Sequence, residues 1–219
     1  EMQSRIQTYL RERAQILASI SHDLQTPITR MKLRVEMADR PELRDKLMSD
    51  LDNMSRLVRE GIAYARSSES LEEPTLKLEL NAWINSIASD YQDIGKNVQF
   101  HAPATRLPIV TRPQALRRVM TNLLDNALKF GDSAVIDIDA DENQVEIRIL
   151  DNGPGIPEAE LEAVLQPFYR VETSRNRDTG GTGLGLAIAA QLTAQLDGKL
   201  HLANRSEGGL AVSVTLPRG

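Results

Sequence analysis

Apolar residues recur along the first forty positions with a period of seven. Leu10, Leu17, Leu24, Met31 and Ala38 form one row; Ala14, Ser21, Ile28 and Val35 form a second, offset by four. Two such rows make the a/d seam of a helix in a coiled-coil-like bundle, so residues 1–40 are predicted to form one long helix. The pattern breaks at "MADRPELRD", where Pro41 suits the first turn of a new helix. Leu47, Leu51, Met54, Val58, Gly61 and Ala65 carry a second seam through 42–66. Two helices with a short connection form an antiparallel hairpin. A lone hairpin cannot cover both seams. Pairing two copies about a twofold axis closes a four-helix bundle, so a homodimer is expected.

The stretch "SSESLEEPT", 67–75, is polar, ends at a proline turn signal and reads as a linker. Beyond it the period shortens. "LKLEL", "NVQF", "PIV", "AVIDIDA", "QVEIRILD", "KLHLAN" and "LAVSVTLP" read as short strands, with a hairpin joining the fourth and fifth. Helical stretches are expected near 81–91, 112–129, 158–165 and 183–197. Together they predict a helical hairpin (1–66), a linker (67–75) and an α/β domain (76–219) whose mixed sheet is covered by helices on one face.

Composition narrows the function classes. Against 31 acidic residues stand 26 basic ones, a formal charge of −5, which argues against a nucleic-acid footprint. With no cysteine, neither disulfides nor thiolate metal sites are possible. No apolar run approaches the roughly 18 residues of a membrane span. The chain opens at Glu1 in what already reads as helix, as a piece of a longer protein would.

Four stretches carry candidate chemistry. In "SISHDLQTPITR" the first helix places His22, Asp23 and Thr26 off the seam, with His22 and Thr26 one turn apart on an outward face. Pro27 removes the helical bond to the Asp23 carbonyl and should kink the helix there. In "RRVMTNLLDNALKFG" one face is apolar, while Arg118, Asn122, Asn126 and Lys129 form a polar stripe. That stripe fits a solvated face, or amide oxygens and a lysine directed at Mg²⁺ and phosphates. "ILDNGPGIPE" ends an apolar strand at Asp151 and runs into Gly153 and Gly155. It fits an ordinary turn, or a carboxylate acceptor for an exocyclic amine such as adenine N6. "RDTGGTGLGLAIAAQL" leads Gly180, Gly181, Gly183 and Gly185 into a helix whose N-terminus can cradle phosphate. No GxxxxGK[ST] loop occurs, and Leu186 stands where a dinucleotide fingerprint needs its third glycine.

In this order these stretches resemble the catalytic core of bacterial two-component sensor histidine kinases, of the osmosensor-like class. "SHDLQTPITR" is similar to the H box, "NLLDNALKF" to the N box, and "DNGPGI" to the first glycine box. "PFYRVETSR" is similar to the F box and "GTGLGLAIA" to the second glycine box. The resemblance spans the chain and implies a dimerising four-helix bundle followed by an ATP-binding α/β sandwich of the gyrase and Hsp90 kind. It implies that His22 accepts the γ-phosphoryl group of ATP, with Asp23 as base or orienting partner and Thr26 positioning a water for phosphatase action. Asn126 would ligate Mg²⁺, with Asn122 and Lys129 on metal or phosphates. Asp151 would select adenine, Gly153 and Gly155 would let the ring approach, and Ile156 and Phe130 would belong to the cofactor site. Phe168 and Arg170 fall in the F box, and 171–182 would form a lid. Gly181, Gly183 and Gly185 would bind phosphates, and Thr182 and Leu184 would belong to the same cofactor site.

The implied partners are a second copy and the receiver domain of a response regulator, with no nucleic acid. Membrane attachment would come only through segments before Glu1, placing this chain on the cytoplasmic side of a bacterial inner membrane. Two other readings use the same residues: an ATPase of that nucleotide fold that labels no histidine, and a dimeric scaffold holding nucleotide as a structural ligand. The family usually has Asp where this chain has Thr111, for which only a local effect is expected. His101 and His201 have no comparable setting and read as incidental, and no metal other than Mg²⁺ is expected.

Overall fold

The structure is a computed structural model and describes residues 24, 27–36, 41–66, 73–103, 105–171 and 182–218. His22, Asp23, Thr26, Gly181 and most of the expected lid lie outside the described residues.

Two helices open the described chain: α1 over 27–36 and α2 over Pro41–Arg66. Pro41 stands at the first position of α2, where its missing N–H has no helical partner to lose. Ile28, Leu51 and Ser55 are buried, and Lys32 Nζ pairs with Asp52 Oδ1 across the two helices. Leu24, Met31, Leu47 and Met54, all seam positions, stay exposed in the single chain.

The α/β unit runs β1 (Leu76–Glu79), α3 (Leu80–Asp93), β2 (Val98–His101), β3 (Pro108–Thr111), α4 (Pro113–Phe130), β4 (Ala134–Ala140), β5 (Gln144–Asp151), α5 (Gly185–Gln195), β6 (Lys199–Asn204) and β7 (Leu210–Pro217). Five strands form one sheet in the order β2-β4-β5-β7-β6, with β2 parallel to β4 and every other pair antiparallel. Alternation sorts the strands into two faces. Ile136, Ile147, Ile149, Val212 and Val214 are buried in one core with Leu116, Met120, Leu123 and Leu124 of α4 and Leu192 of α5. The alternate residues form an outward polar row running His101, Asp137, Arg148, Ser213 and His201 across all five strands. Within it His101 Nδ1 lies 2.9 Å from Asp137 Oδ1, a local pairing on the sheet surface.

Two expectations are corrected. β1 and β3 do not join the main sheet; they pair with each other as a separate antiparallel ribbon. These strands are only four residues long, and one bond, Val110 N–H to the Arg218 carbonyl at 3.4 Å, ties the ribbon to the end of β7. The helix expected at 158–165 is instead two 3₁₀ turns, Glu158–Glu160 and Ala163–Leu165. Prolines at 154, 157 and 167 bracket a segment too short to recover the cost of a helical nucleus. Thr111 is buried at the end of β3, paired with Leu76, a local structural position.

Two glutamates fix where helices begin. Glu79 accepts from Ala82 N–H at 2.8 Å and from Leu107 N–H at 3.0 Å, capping α3 while holding the chain that enters β3. Glu73, at the end of the linker, accepts from Gln114 and Ala115 N–H at 2.7 and 3.0 Å, capping α4. Arg112 completes this junction by donating to the Glu73 and Gln195 carbonyls.

The backbone N–H groups of Leu107 and Ala82 hold the Glu79 carboxyl below the ordinary glutamate range. Its stabilisation is therefore present at neutral pH and lost as the pH falls. Glu79→Gln is expected to lower stability by on the order of 1 kcal/mol at pH 7, read as a lower urea midpoint. The gap to wild type should close as the pH drops below about 4.3. A gap that stays constant into acid would show that the charge plays no part.

Candidate nucleotide site

Helix α4 presents two faces with different fates. Leu116, Val119, Met120, Leu123, Leu124 and Ala127 are buried in the core. The opposite stripe borders a cavity of about 490 Å³, a volume that suits a small-molecule ligand. Asn122, Asn126, Lys129 and Phe130 line it from α4, and Asp151 from the end of β5. Gly155, Ile156, Arg170, Thr182, Gly183 and Gly185 complete the set of expected residues that the fold brings together.

Asp151 is almost fully buried, and its Oδ1 accepts from the Gly153 and Leu210 N–H groups at 2.8 and 3.0 Å. Both internal bonds use one oxygen, so the carboxylate is fixed in orientation with its other oxygen uncommitted to these neighbours. The loop after it is pinned by Asn204. That amide accepts from Ile156 N–H at 2.9 Å and donates to the Ile156 carbonyl at 2.6 Å. Arg205 donates to the Asp151 carbonyl at 2.6 Å.

Glycine serves the chain's own packing here. Gly155 has φ +74°, and a Cβ there would stand 2.6 Å from Asn204 Oδ1. Gly183, at φ +75°, allows the 168–169 backbone to come so close that a Cβ would meet the Tyr169 carbonyl at 2.6 Å. Gly153 is not among the lining residues; it packs against the Phe130 carbonyl. Leu184 is fully buried in the core, and Phe168 is exposed outside the cavity at φ 65°.

On the polar stripe, Asn122 donates its amide nitrogen to the Arg118 carbonyl at 2.7 Å. Its Oδ1 lies against Gly185, at the first turn of α5. Asn126 lines the cavity, and its amide hydrogen-bonds to no described residue. Lys129 Nζ lies 4.8 Å from the centre of the Phe130 ring. Partial burial lowers the Lys129 pKa, and the positive charges of Arg170 and then Arg56 lower it further, against an opposing pull from Glu60. Asp125 is anchored by the Tyr91 hydroxyl, which donates to Oδ1 at 2.6 Å; burial, then that carboxylate, push the tyrosine upward.

Several cavity residues are not among the site residues expected from the sequence, although Tyr169 and Val171 fall within the F-box stretch. Tyr169, Val171 and Leu210 line it because β7 and the segment after the 3₁₀ turns converge there. Arg56 and Glu60 come from α2, and Glu60 Oε2 accepts a hydrogen bond from Thr182 Oγ1. Their spacing of four marks a shared helix face, but only the docking of α2 on the α/β unit puts that face at the cavity.

Residues 12–70 match the His Kinase A (phospho-acceptor) domain, and residues 111–219 match the histidine kinase-, DNA gyrase B- and HSP90-like ATPase family. The sensor histidine kinase GtrS of Pseudomonas aeruginosa is 39% identical over 217 residues, covering 99% of this chain and 44% of that protein. The sensor protein kinase WalK of Staphylococcus saprophyticus is 31% identical over 225 residues, covering 94% of this chain and 37% of WalK. The chain thus spans less than half the length of either relative. The fold is similar to that of full-length ShkA solved in complex with AMPPNP, with a TM-score of 0.70 and 22% identity over 93% of this chain and 45% of ShkA. No described helix is long and apolar enough to cross a membrane. With a phospho-acceptor region and an ATP-binding domain in that order, and relatives matching along nearly its whole length, the chain belongs to the bacterial sensor histidine kinases, of which it is a catalytic core.

Proposed function

We propose that this chain is an ATP-dependent protein-histidine kinase that phosphorylates His22 and passes the phosphoryl group to an aspartate on a response-regulator receiver domain. The carrying observation is the composition of the cavity beside α4. A fixed carboxylate, Asp151, shares it with Asn122, Asn126, Lys129 and the first turn of an eleven-residue helix. A nucleoside triphosphate has the complementary parts: an exocyclic amine that donates, and phosphates that seek cations and N–H groups.

The donor set also fits Mg²⁺. Asn122 has committed its nitrogen, so oxygen is the atom it offers, and Asn126 is uncommitted among the described residues. No group of three or more His, Cys, Asp or Glu side chains suited to a metal occurs among the described residues. Two amide oxygens fit a hard cation that takes its remaining ligands from phosphate and water, with Asn126 as its main protein ligand. When bound, Mg²⁺ would supply neutralisation of phosphate charge.

The chain's own residues then have separable tasks. Lys129 and the α5 N-terminus hold the phosphates, and Asp151 orients the base. A ring nitrogen of His22 attacks the γ-phosphorus while the bond to the β–γ bridging oxygen breaks, and ADP leaves with that electron pair. Asp23 keeps the attacking nitrogen free of its proton. The phosphoryl group next moves to a carboxylate oxygen of the regulator, and Thr26 positions the water that later hydrolyses it. We place the phosphotransfer hairpin at 1–66, the join at 67–75 and the ATP-binding domain at 76–219, with Glu73 clamping the end of the join onto α4. The exposed seam residues Leu24, Met31, Leu47 and Met54 support a homodimer closed through the hairpins. Attachment to the inner membrane would come from segments outside this chain, which itself would lie on the cytoplasmic side.

Incubation with γ-labelled ATP is expected to give an acid-labile, base-stable label on wild type. His22→Gln should sediment as the same dimer and carry no label. Phosphate release without labelled protein would favour the plain ATPase, and a stoichiometric label on the variant would remove His22.

Asp151→Asn tests the base end. The Gly153 and Leu210 N–H groups hold the Asn oxygen where Oδ1 was, so the new amide donor faces the ligand's own donor. Loss of such a pair costs about 1–3 kcal/mol, roughly a 5- to 150-fold weaker ADP affinity by calorimetry. An unchanged affinity would take Asp151 out of base recognition.

Thr26→Ala should keep autophosphorylation and transfer but slow decay of the phosphorylated regulator in the presence of ADP. Decay at the wild-type rate would leave Thr26 as a cap on the helix ahead of Pro27.

A further inference from the structure

Arg56, Glu60 and Tyr64 follow one another at intervals of four along α2, so they share a stripe. The seam residues Leu47, Leu51, Met54 and Val58 are spaced differently and lie on another face. The stripe faces the ATP-binding domain: Tyr64 packs against its hydrophobic core, and Arg56 and Glu60 line the nucleotide cavity. Glu60 is bonded there to the hydroxyl of Thr182, three residues before α5 begins. Around it stand Lys129, Arg170 and Arg56, cations whose charges act on one another at this end of the cavity.

A carboxylate accepting from a hydroxyl, among cations and beside a helix N-terminus, occupies the kind of setting a phosphate oxygen takes. Resting on the nucleotide reading above, we propose that α2 is part of the phosphate subsite: Glu60 is an internal anion that competes with nucleotide phosphate for Thr182 and the cations, and Arg56 is a phosphate ligand supplied by the histidine-bearing hairpin. Phosphate binding then displaces Glu60 from Thr182 while engaging Arg56. Because binding and docking are linked, nucleotide phosphate changes how tightly this face of α2 holds the ATP-binding domain, and the docking changes phosphate affinity by the same factor. The two residues act on the same ligand with opposite sign, which a merely structural contact would not do.

The test is calorimetry on the full chain with Mg²⁺, using ADP and a non-hydrolysable ATP analogue, and adenosine by competition as the phosphate-free reference. Glu60→Gln is nearly isosteric, and with Glu60→Ala it is expected to tighten both phosphorylated ligands by about 3- to 10-fold. Arg56→Gln is expected to weaken both by a similar factor, and the triphosphate more than the diphosphate. Adenosine affinity should not move in any variant. Unchanged or weaker phosphate-ligand binding in both Glu60 variants overturns the proposal. So does unchanged binding in Arg56→Gln, or an equal shift for adenosine, which would mark a packing effect. Failure of wild type to bind any of the three ligands would instead sink the nucleotide reading itself.

Discussion

The burial of one face of α4 against the sheet is the constraint on which the site depends. Leu116, Val119, Met120, Leu123 and Leu124 are all at or near zero exposure, packed on the Ile and Val residues of β4, β5 and β7. A helix rotates about its axis only if its apolar stripe leaves the core. Each such side chain moved into water costs about 1.5–3 kcal/mol. The core therefore sets the azimuth of α4, and the azimuth sets where Asn122, Asn126 and Lys129 project. Glu73 fixes the start of the same helix through its first N–H groups. Asn152 fixes the turn beyond its C-terminal end, accepting from Asp132 and Ser133 N–H. Polar stripe and apolar face are thus one structural decision.

The opposite wall is organised around a buried charge. A carboxylate as enclosed as Asp151 is tolerated only when hydrogen-bonded. Its neighbours supply N–H groups from two separate segments, the turn after β5 and the first residue of β7. Asp151 thereby couples the glycine-rich turn to the far end of the chain, and Arg205 repeats the link through the Asp151 carbonyl. The carboxylate that borders the cavity thus also helps hold the cavity in shape.

Much of this was legible because two periods differ. Strict alternation marked β4, β5, β6 and β7 to the residue, and a 3.6 period marked α4. The polar stripe was visible as the complement of that apolar face. What stayed hidden is non-local. Asn204 pins Ile156 from a distance of 48 residues, and nothing in "KLHLAN" distinguishes it from any strand-terminal Asn. Gly153 and Gly155 read as permissive toward a ligand, whereas their close approaches are to Phe130 and Asn204. The 3₁₀ turns were missed because the eight residues "EAELEAVL" have the Glu, Ala and Leu composition of a helix without the length. Arg56 and Glu60 were hidden most completely, since heptads describe how a hairpin packs on itself and say nothing of the face offered to another domain.

The segment leading into α5 shows how local strain serves this arrangement. Phe168 takes φ 65°, a conformation that costs a bulky residue on the order of 1–3 kcal/mol. The turn is held by the Phe168 N–H, which donates to the Gly183 carbonyl at 3.0 Å, and by the absence of a Cβ at Gly183. Residues 168 and 183 therefore meet in a tight neck. Arg170 stands just inside one end of the neck and Thr182 at the other, both lining the cavity. The strain at Phe168 is offset by these contacts, which hold Arg170 and Thr182, the one acting on Lys129 and the other bonded to Glu60, on the wall of the cavity.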